Sequence, residues 1–255
     1  MNENYLIIDD DFAPPAGSTG YMGWQKPGAQ YAFSAPRPVG PTIPRSQWPA
    51  LIKAGQGTFL SDVVKAQGIP AKDQNGLSLC WAYGSTRAVE IRRATMGLPF
   101  KDLSPESVAG PCTSWHNQGG YASEAFGQLE KAGACESSFM DAPHSLRHGS
   151  WKTGWEENAK LHQAVEWYQI GKSFDEVITC LLNRIPVAAG LDWWGHLVCF
   201  LDPVLLPDGS VGVLFINSWG KDWPTPGANG LSVLTERKAT PDGAAAPLIT
   251  VYSRT

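Results

Sequence analysis

The spacing of apolar residues divides the chain into a helical part and a strand-rich part. From about residue 59 to residue 183, apolar side chains recur every three or four positions, which is typical of one buried helix face. The predicted helices cover residues 79–96, 123–131, 155–167 and 174–182. Gly97 follows the first of them, and Arg92 and Arg93 lie in its last turn, an arrangement that favours a helix C-terminus there.

After residue 184 the apolar residues form short runs of the length and pattern of β-strands. Turn sequences such as Asp208-Gly209 and the glycine-bounded residues 227–230 separate these runs. The predicted strands cover residues 186–191, 197–201, 211–216 and 231–234. Helices followed by strands predict an α+β domain with a helical lobe over residues 59–183 and a strand-rich lobe over residues 184–255.

Residues 1–58 differ from the rest because they are rich in proline and glycine. Eight of the 20 prolines lie between Pro14 and Pro49, which argues against a long helix or a central strand. The same stretch carries the aromatic residues Tyr21, Trp24, Tyr31, Phe33 and Trp48. We interpret it as an extended N-terminal arm that packs these aromatics on the body or on an assembly partner. A flexible tail is the alternative.

Composition then removes several classes of function. The 255 residues contain 20 Lys+Arg and 24 Asp+Glu, so the net charge is −4, which argues against a nucleic-acid partner. A hydrophobic content of 43% excludes general disorder. No apolar run approaches the length of a membrane span, so no membrane partner is expected. The acidic start of the chain predicts no secretory signal.

The five cysteines make an odd number, which does not fit a disulfide framework. One of them, Cys80, follows a polar loop and lies in the first turn of the helix predicted over residues 79–96. Unpaired backbone N–H groups and the helix dipole favour a thiolate at such a position, so a lowered thiol pKa is expected when a protonated histidine lies close. Taken alone, such a cysteine is more often a small buried apolar residue.

Two later segments supply the partners that a cysteine nucleophile needs. His196 stands at the head of an apolar strand, and Asn217 ends another strand two residues before Trp219. A catalytic cysteine needs a histidine to take its proton, and the histidine needs a third group to fix its ring. Asn217 suits this third role, and Trp219 suits that of shielding the hydrogen bond between Asn217 and His196 from water.

These residues occur in a familiar order. Gln74 lies six residues before the pair Cys80-Trp81, and Gly119-Gly120-Tyr121, His196 and Asn217-Ser218-Trp219-Gly220 follow. Over about residues 68–234 the chain resembles the papain-like cysteine proteases. The resemblance implies a two-lobed α+β fold whose second lobe is antiparallel and barrel-like. It also implies a cysteine-type peptidase that acts on a polypeptide substrate through a thioacyl intermediate and without a cofactor.

The resemblance also implies a role for each matching residue. Cys80 would be the nucleophile, His196 its ion-pair partner and then the acid for the leaving amine, and Asn217 the group that orients His196. The Gln74 side chain and the Cys80 backbone N–H would form the oxyanion hole. The residues expected to bind substrate are Gly119, Gly120 and Trp219.

The chain departs from the family at two places. Leu77, Ser78 and Leu79 stand where the family has Cys-Gly-Ser, so the usual disulfide to the position near Cys112 cannot form, and this favours a reducing compartment. The connection over residues 186–196 is short. We expect Trp193 and Trp194 to cap the pocket there, with a preference for apolar side chains two residues before the cleaved bond.

Other interpretations remain open. One alternative is a catalytically silent papain-like module in a larger assembly. Another is a different thiol hydrolase with a Cys-His dyad, such as a transglutaminase-like enzyme or a cell-wall amidase. Cys112 with His116, and His144 with His148, have spacings that fit metal ligands. Their proline and glycine neighbours favour solvated loops instead, so no metal is predicted. A serine-nucleophile elbow and a phosphate-binding loop are both absent.

Overall fold

The computed structural model describes residues 5–9, 23–24, 40–147 and 151–250. Within these residues eight helices combine with one seven-stranded sheet. The helices are α1 (Trp48–Ala54), α2 (Leu60–Ala66), α3 (Cys80–Thr95), α4 (Pro105–Cys112), α5 (Ala122–Lys131), α6 (Trp155–Lys160), α7 (Phe174–Leu182) and α8 (Glu236–Ala239). The strands are β1 (Ile7–Ile8), β2 (Ala164–Ile170), β3 (Val187–Leu191), β4 (His196–Leu205), β5 (Val211–Ile216), β6 (Leu231–Leu234) and β7 (Gly243–Thr250).

The sheet confirms the predicted α+β class and corrects the barrel-like expectation. Its strand order is β1-β6-β5-β4-β3-β7-β2, in which β1 pairs with β6 in parallel and all other neighbours are antiparallel. A barrel requires the two end strands to pair with each other, but here β1 and β2 lie at opposite edges. The sheet is therefore open.

Helix α3 is the central element of the fold. Fourteen of its sixteen residues are buried, because it packs on β3, β4 and β7 and also against α4 and α5. Its bounds, like those of α5, α7, β5 and β6, agree with the sequence prediction to within a residue. A helix buried on nearly all sides holds its first residue, Cys80, in a fixed position inside the molecule.

One predicted helix is wrong in its second half. The helix expected over residues 155–167 ends at Lys160, and β2 begins at Ala164. Strand β2 is rich in β-branched and aromatic residues, including Val165, Trp167 and Tyr168, which favour a pleated surface. Pairing with β7 satisfies its backbone groups, so tertiary contacts override the weak helical period.

Two of the three described segments in the first 58 residues are a strand and a helix that lie against the body. Strand β1 adds to the sheet edge, where the N–H groups of Val233 and Thr235 donate to the carbonyls of Leu6 and Ile8. Helix α1 also lies in this interval, and its Trp48 is buried against α7. The aromatic residues Tyr21, Tyr31 and Phe33 lie outside the described residues.

A buried ionic network joins α3 to the segments that flank it. The Glu90 carboxylate, with no exposed surface, lies 2.7 Å from the Arg87 guanidinium and 3.0 Å from the Lys72 ammonium. It also accepts the backbone N–H of Leu103. Lys72 makes a further ion pair with Asp102. The network therefore holds the loop that leads to Cys80 onto the middle of α3.

Among the described helices, none combines the length and the apolar character that crossing a bilayer requires.

Replacing Glu90 with glutamine should lower the free energy of unfolding by about 3 kcal/mol, because two buried cations lose their shared counter-charge. Urea unfolding followed by circular dichroism measures this. The matched control is Lys101→Ala, which removes a half-exposed ion pair with Glu136 and should cost less than about 1 kcal/mol. Equal losses in the two variants would contradict the role given to Glu90.

Candidate active site

The Cys80 thiol is fully buried at the start of α3. Gly84, one helical turn further, faces β4 so closely that a Cβ there would lie 2.3 Å from the Leu197 side chain. The Leu197 backbone also lies close enough to the Cys80 sulfur to act on the thiol and lower its pKa. Because Leu197 directly follows His196, this packing brings the thiol to the end of β4 where His196 begins the strand.

His196 and Asn217 form the hydrogen bond expected of them. The distance between His196 Nε2 and Asn217 Oδ1 is 2.7 Å, and the Ser218 backbone N–H donates to the same oxygen at 2.8 Å. Since this oxygen accepts, His196 carries its proton on Nε2 in the neutral ring. The Nδ1 atom is buried and has no hydrogen-bond partner within the described part of the chain. Its lone pair is therefore available to accept a proton.

Tryptophan rings enclose this histidine. The Trp219 ring lies 4.7 Å from the imidazole, tilted by 34°, and Trp194 meets it edge-on at 5.1 Å. Trp193 stacks on Trp194 at 5.2 Å, with the Lys238 ammonium 4.2 Å from its ring. Trp194 therefore forms a buried wall beside His196. Of the two residues expected to cap the pocket, Trp194 turns inward and Trp193 is only partly buried, so the cap stays a prediction.

Gln74 joins the loop before Cys80 to the segment that follows β5. Its backbone N–H donates to the Ser218 carbonyl at 2.9 Å, and its Oε1 accepts the Ser218 hydroxyl at 2.6 Å. Its Nε2 donates to the Leu77 carbonyl at 2.6 Å. Ser218 was not predicted to take part, although its place beside Asn217 was visible in the sequence. These bonds hold the loop that leads to Cys80 in a fixed position relative to Asn217.

The N-terminal arm enters the site through Gly23 and Trp24. The Gly23 N–H donates to the Cys80 sulfur at 3.3 Å, and the Gly23 carbonyl accepts the Gly120 N–H at 2.8 Å. The Trp24 N–H donates to the Gly195 carbonyl at 3.3 Å, and Trp24 forms an isolated parallel β-bridge with Gly120. The arm thus presents an amide N–H, and not a carbonyl carbon, to the Cys80 sulfur.

Burial determines the charge state of the site. It raises the pKa of the Cys80 thiol to about 11, although backbone N–H groups, that of Gly23 first, act to lower it. It lowers the pKa of His196 to about 4 against the opposing effect of Asn217. Both groups are therefore neutral at pH 7 in this structure. A lowered thiol pKa was expected beside a protonated histidine, but His196 is neutral here and desolvation outweighs the backbone N–H groups.

The remaining predicted residues line the cleft near Trp24. A Cβ at Gly120 would lie 2.6 Å from the Trp81 ring and 2.8 Å from the Glu124 carboxylate, so only glycine fits there. Gly119 directly precedes it. Gly190 and Asp192, which contact the Trp24 side chain, were not predicted. The glycine inside an apolar strand was the available signal, since it often marks the close approach of another group.

The described residues show no cluster of side chains for the metal site considered as an alternative. Across the residues that the structure describes, no group of three or more His, Cys, Asp or Glu side chains is arranged to hold a metal ion. His148 lies outside the described residues, so the pair that it forms with His144 is not described. His144 instead contacts Tyr83 and Glu106. All five cysteines are free thiols.

Comparison with known proteins places the fold. No protein-family description matches the chain, and no curated protein sequence matches it. Among solved structures, a digestive procathepsin L 3 of Tenebrio molitor larval midgut aligns with a TM-score of 0.59 and 18% identity over 71% of this chain and 66% of that chain. Xylellain, a cysteine protease from Xylella fastidiosa, aligns with a TM-score of 0.58 and 14% identity over 73% and 84%.

A recombinant stem bromelain precursor aligns with a TM-score of 0.60 and 15% identity over 85% of this chain and 76% of that chain. The alignment with procathepsin L 3 spans slightly less than two thirds of that protein. These neighbours show that the chain has the papain-like fold, as the resemblance of its motifs implied.

The tautomer of His196 is directly measurable. In ¹⁵N-labelled full-length protein, we expect His196 to be protonated on Nε2 and to stay neutral from pH 8 down to about pH 5, because burial lowers its pKa to about 4. Two-bond ¹H–¹⁵N correlation spectra over this range measure the tautomer and the midpoint. His116, on a half-exposed turn, serves as the internal comparison. A His196 midpoint above pH 6, or protonation on Nδ1, would contradict the assignment.

Proposed function

We propose that this protein is a cysteine peptidase in which Cys80, His196 and Asn217 carry the reaction. The observation that supports this best is the state of His196. Its Nε2 is fixed by Asn217, and its buried Nδ1 has no hydrogen-bond partner within the described part of the chain. The next residue, Leu197, lies close enough to the Cys80 sulfur for its backbone to act on the thiol. The papain-like fold of the chain, shared with cysteine proteases, supports the same chemistry.

The reaction follows from these groups. When a substrate carbonyl replaces the Gly23 amide, the Cys80 thiol gives its proton to His196 Nδ1 and the sulfur attacks the carbonyl carbon. The tetrahedral intermediate collapses as the C–N bond breaks, and His196 returns the proton to the leaving amine. Water then gives a proton to His196 and attacks the thioester. The carboxylic acid leaves, and the thiol regains its proton.

The developing oxyanion needs donors close to the sulfur. We assign this role to the Cys80 backbone N–H, which has no acceptor within the first turn of α3, and to the Gln74 side-chain amide. The position of Gln74 in the loop that delivers Cys80, fixed by Ser218, supports the assignment. Gly119 and Gly120 would pair with the substrate backbone, and Trp219 would line the cleft beside His196.

The arm is best understood as holding the peptidase in a resting form. Gly23 and Trp24 occupy the position of a substrate strand but present no carbonyl to the sulfur, so the arm blocks the site without being a substrate. The described arm residues contact the chain's own sheet and cleft, and nothing in them favours a separate assembly partner. No observation favours a catalytically silent module either.

Displacing the arm should activate the thiol. Gly23→Ala puts a methyl group 1.9 Å from the Ser78 carbonyl oxygen, a clash with backbone that the arm relieves only by leaving the cleft. As the thiol pKa falls from about 11 towards its ordinary value, labelling of Cys80 by a disulfide reagent at pH 7 should rise about 100-fold. Peptidase activity on a fluorogenic peptide should rise with it.

The matched control is Gly171→Ala, where the added methyl group meets open space, and both readouts should stay unchanged. Unaltered labelling of Cys80 in the Gly23→Ala variant would show that the arm does not restrain the thiol.

The three catalytic assignments predict a ranking of activities. In the Gly23→Ala background, Cys80→Ala should abolish cleavage, because no other group supplies the nucleophile. His196→Ala should lower kcat/KM by about 10³-fold, since proton transfer is lost. Asn217→Ala should lower it by about 10²-fold, since only the orientation of the ring suffers. The measurement is hydrolysis of the fluorogenic peptide, with folding checked by circular dichroism. Full activity in Cys80→Ala would refute the proposal, and the opposite order of His196 and Asn217 would contradict their roles.

A further inference from the structure

The side chain of Trp24 fills a preformed pocket in the body of the protein. The indole is only 8% exposed and lies flat on the backbone of β3 at Gly190, where a Cβ would stand 2.2 Å from its ring. Tyr121 meets it edge-on, with ring centroids 6.2 Å apart and an interplanar angle of 79°. A slot with one wall of bare backbone and another of an aromatic ring suits a flat side chain.

The pocket also contains one polar group aimed at the indole. The Trp24 Nε1–H donates to Asp192 Oδ1 at 2.9 Å. Asp192 is itself held in place, because its backbone N–H donates to the Asp242 carboxylate at 2.7 Å and the Asp242 N–H donates to the Gly190 carbonyl at 2.9 Å. Hydrogen bonds to a carboxylate are roughly twice as strong as those between neutral groups.

The chemistry of this pocket discriminates among side chains. Phenylalanine or leucine would fill the apolar slot but would not form the hydrogen bond that the indole N–H makes to the Asp192 carboxylate. Arginine would satisfy the charge, but its long apolar stem would not cover the flat backbone surface at Gly190 as a ring does. An indole supplies both the flat ring and the N–H.

We propose that this indole pocket, formed by Gly190, Tyr121 and Asp192, selects a tryptophan side chain in the peptides that the protein takes into its cleft, with Asp192 as the specificity-determining residue. The inference rests on the proposed function for its meaning, since it names the substrate class of that site. The pocket walls belong to the body and not to the arm. A peptide that displaces the arm and pairs with Gly120 therefore meets the same slot.

Binding tests the proposal without requiring catalysis. The full-length chain carries Cys80→Ala to prevent cleavage, with Gly23→Ala and Trp24→Ala to clear the cleft. Isothermal titration uses acetyl-Gly-Xaa-Gly-amide peptides in which Xaa is tryptophan, phenylalanine, arginine or benzothienylalanine. The last of these keeps the shape of the indole and replaces its N–H with sulfur. We expect the tryptophan peptide to bind about tenfold more tightly than the benzothienylalanine peptide.

Variants of the pocket assign the selectivity to Asp192. Asp192→Ala should remove the tenfold difference in affinity between the tryptophan and benzothienylalanine peptides. Asp192→Asn, which keeps an acceptor oxygen, should retain part of that difference. The matched control is Asp208→Ala, which removes the same charge from the exposed β4–β5 turn and should leave the difference intact. Equal binding of the tryptophan and benzothienylalanine peptides, tightest binding of the arginine peptide, or no binding of any peptide would overturn the proposal.

A second measurement needs no added peptide. With Cys80 present, Trp24→Phe and Asp192→Ala should each raise the labelling rate of Cys80, and the double variant should be no faster than the faster single variant, because both remove the same hydrogen bond. Additive effects would count against recognition of the indole by Asp192.

Both measurements are independent of peptide cleavage. If the protein is inactive but still selects the indole, the proposed peptidase function is refuted and the indole pocket stands. If the protein is active but shows no selectivity, the indole pocket is refuted and the peptidase function stands.

Discussion

The close packing of α3 on β4 is the contact on which the rest of the site depends. It needs a glycine at position 84, because the Leu197 side chain occupies the space where any larger residue would project. The contact sets the Cys80 thiol, one turn earlier, near the beginning of β4, the strand that starts at His196. The Gln74–Ser218 bonds then fix the second strand end, with Asn217, against the loop that leads to the thiol. Three segments distant in sequence are thereby held by backbone contacts, and their side chains need little further positioning.

The same tight packing makes charge expensive in the site. A thiolate and an imidazolium attract each other, but each must also be stripped of water, and with the arm in place no solvent compensates either. The neutral thiol and neutral imidazole are therefore the stable pair in the covered state. In the proposed resting form the arm would act in two ways at once, since it would fill the space of a substrate and exclude the water that the charged pair needs.

Much of the fold was predictable because local pattern and tertiary structure agree there. Helix α3 and strands β5 and β6 have clear periods, and the motif residues His196 and Asn217 meet as their order implied. The failures occur where long-range contacts decide. Strand β7 contains three consecutive alanines, which have little strand preference, and it forms because β2 and β3 pair with it from both sides. The pKa of the Cys80 thiol and the hydrogen bond between Trp24 and Asp192 likewise depend on groups far apart in the chain, so no local sequence pattern predicts them.

The parallel pairing of β1 with β6 has a consequence for how the cleft is closed. Because β1 lies on the sheet before Trp24 and α1 lies on the body after it, the segment that contains Gly23 and Trp24 is tethered on both sides. A tethered segment competes at an effective concentration that does not change when the protein is diluted. Under the proposed function, a peptide has to outcompete the tethered segment, and loss of either tether shifts the balance towards the peptide.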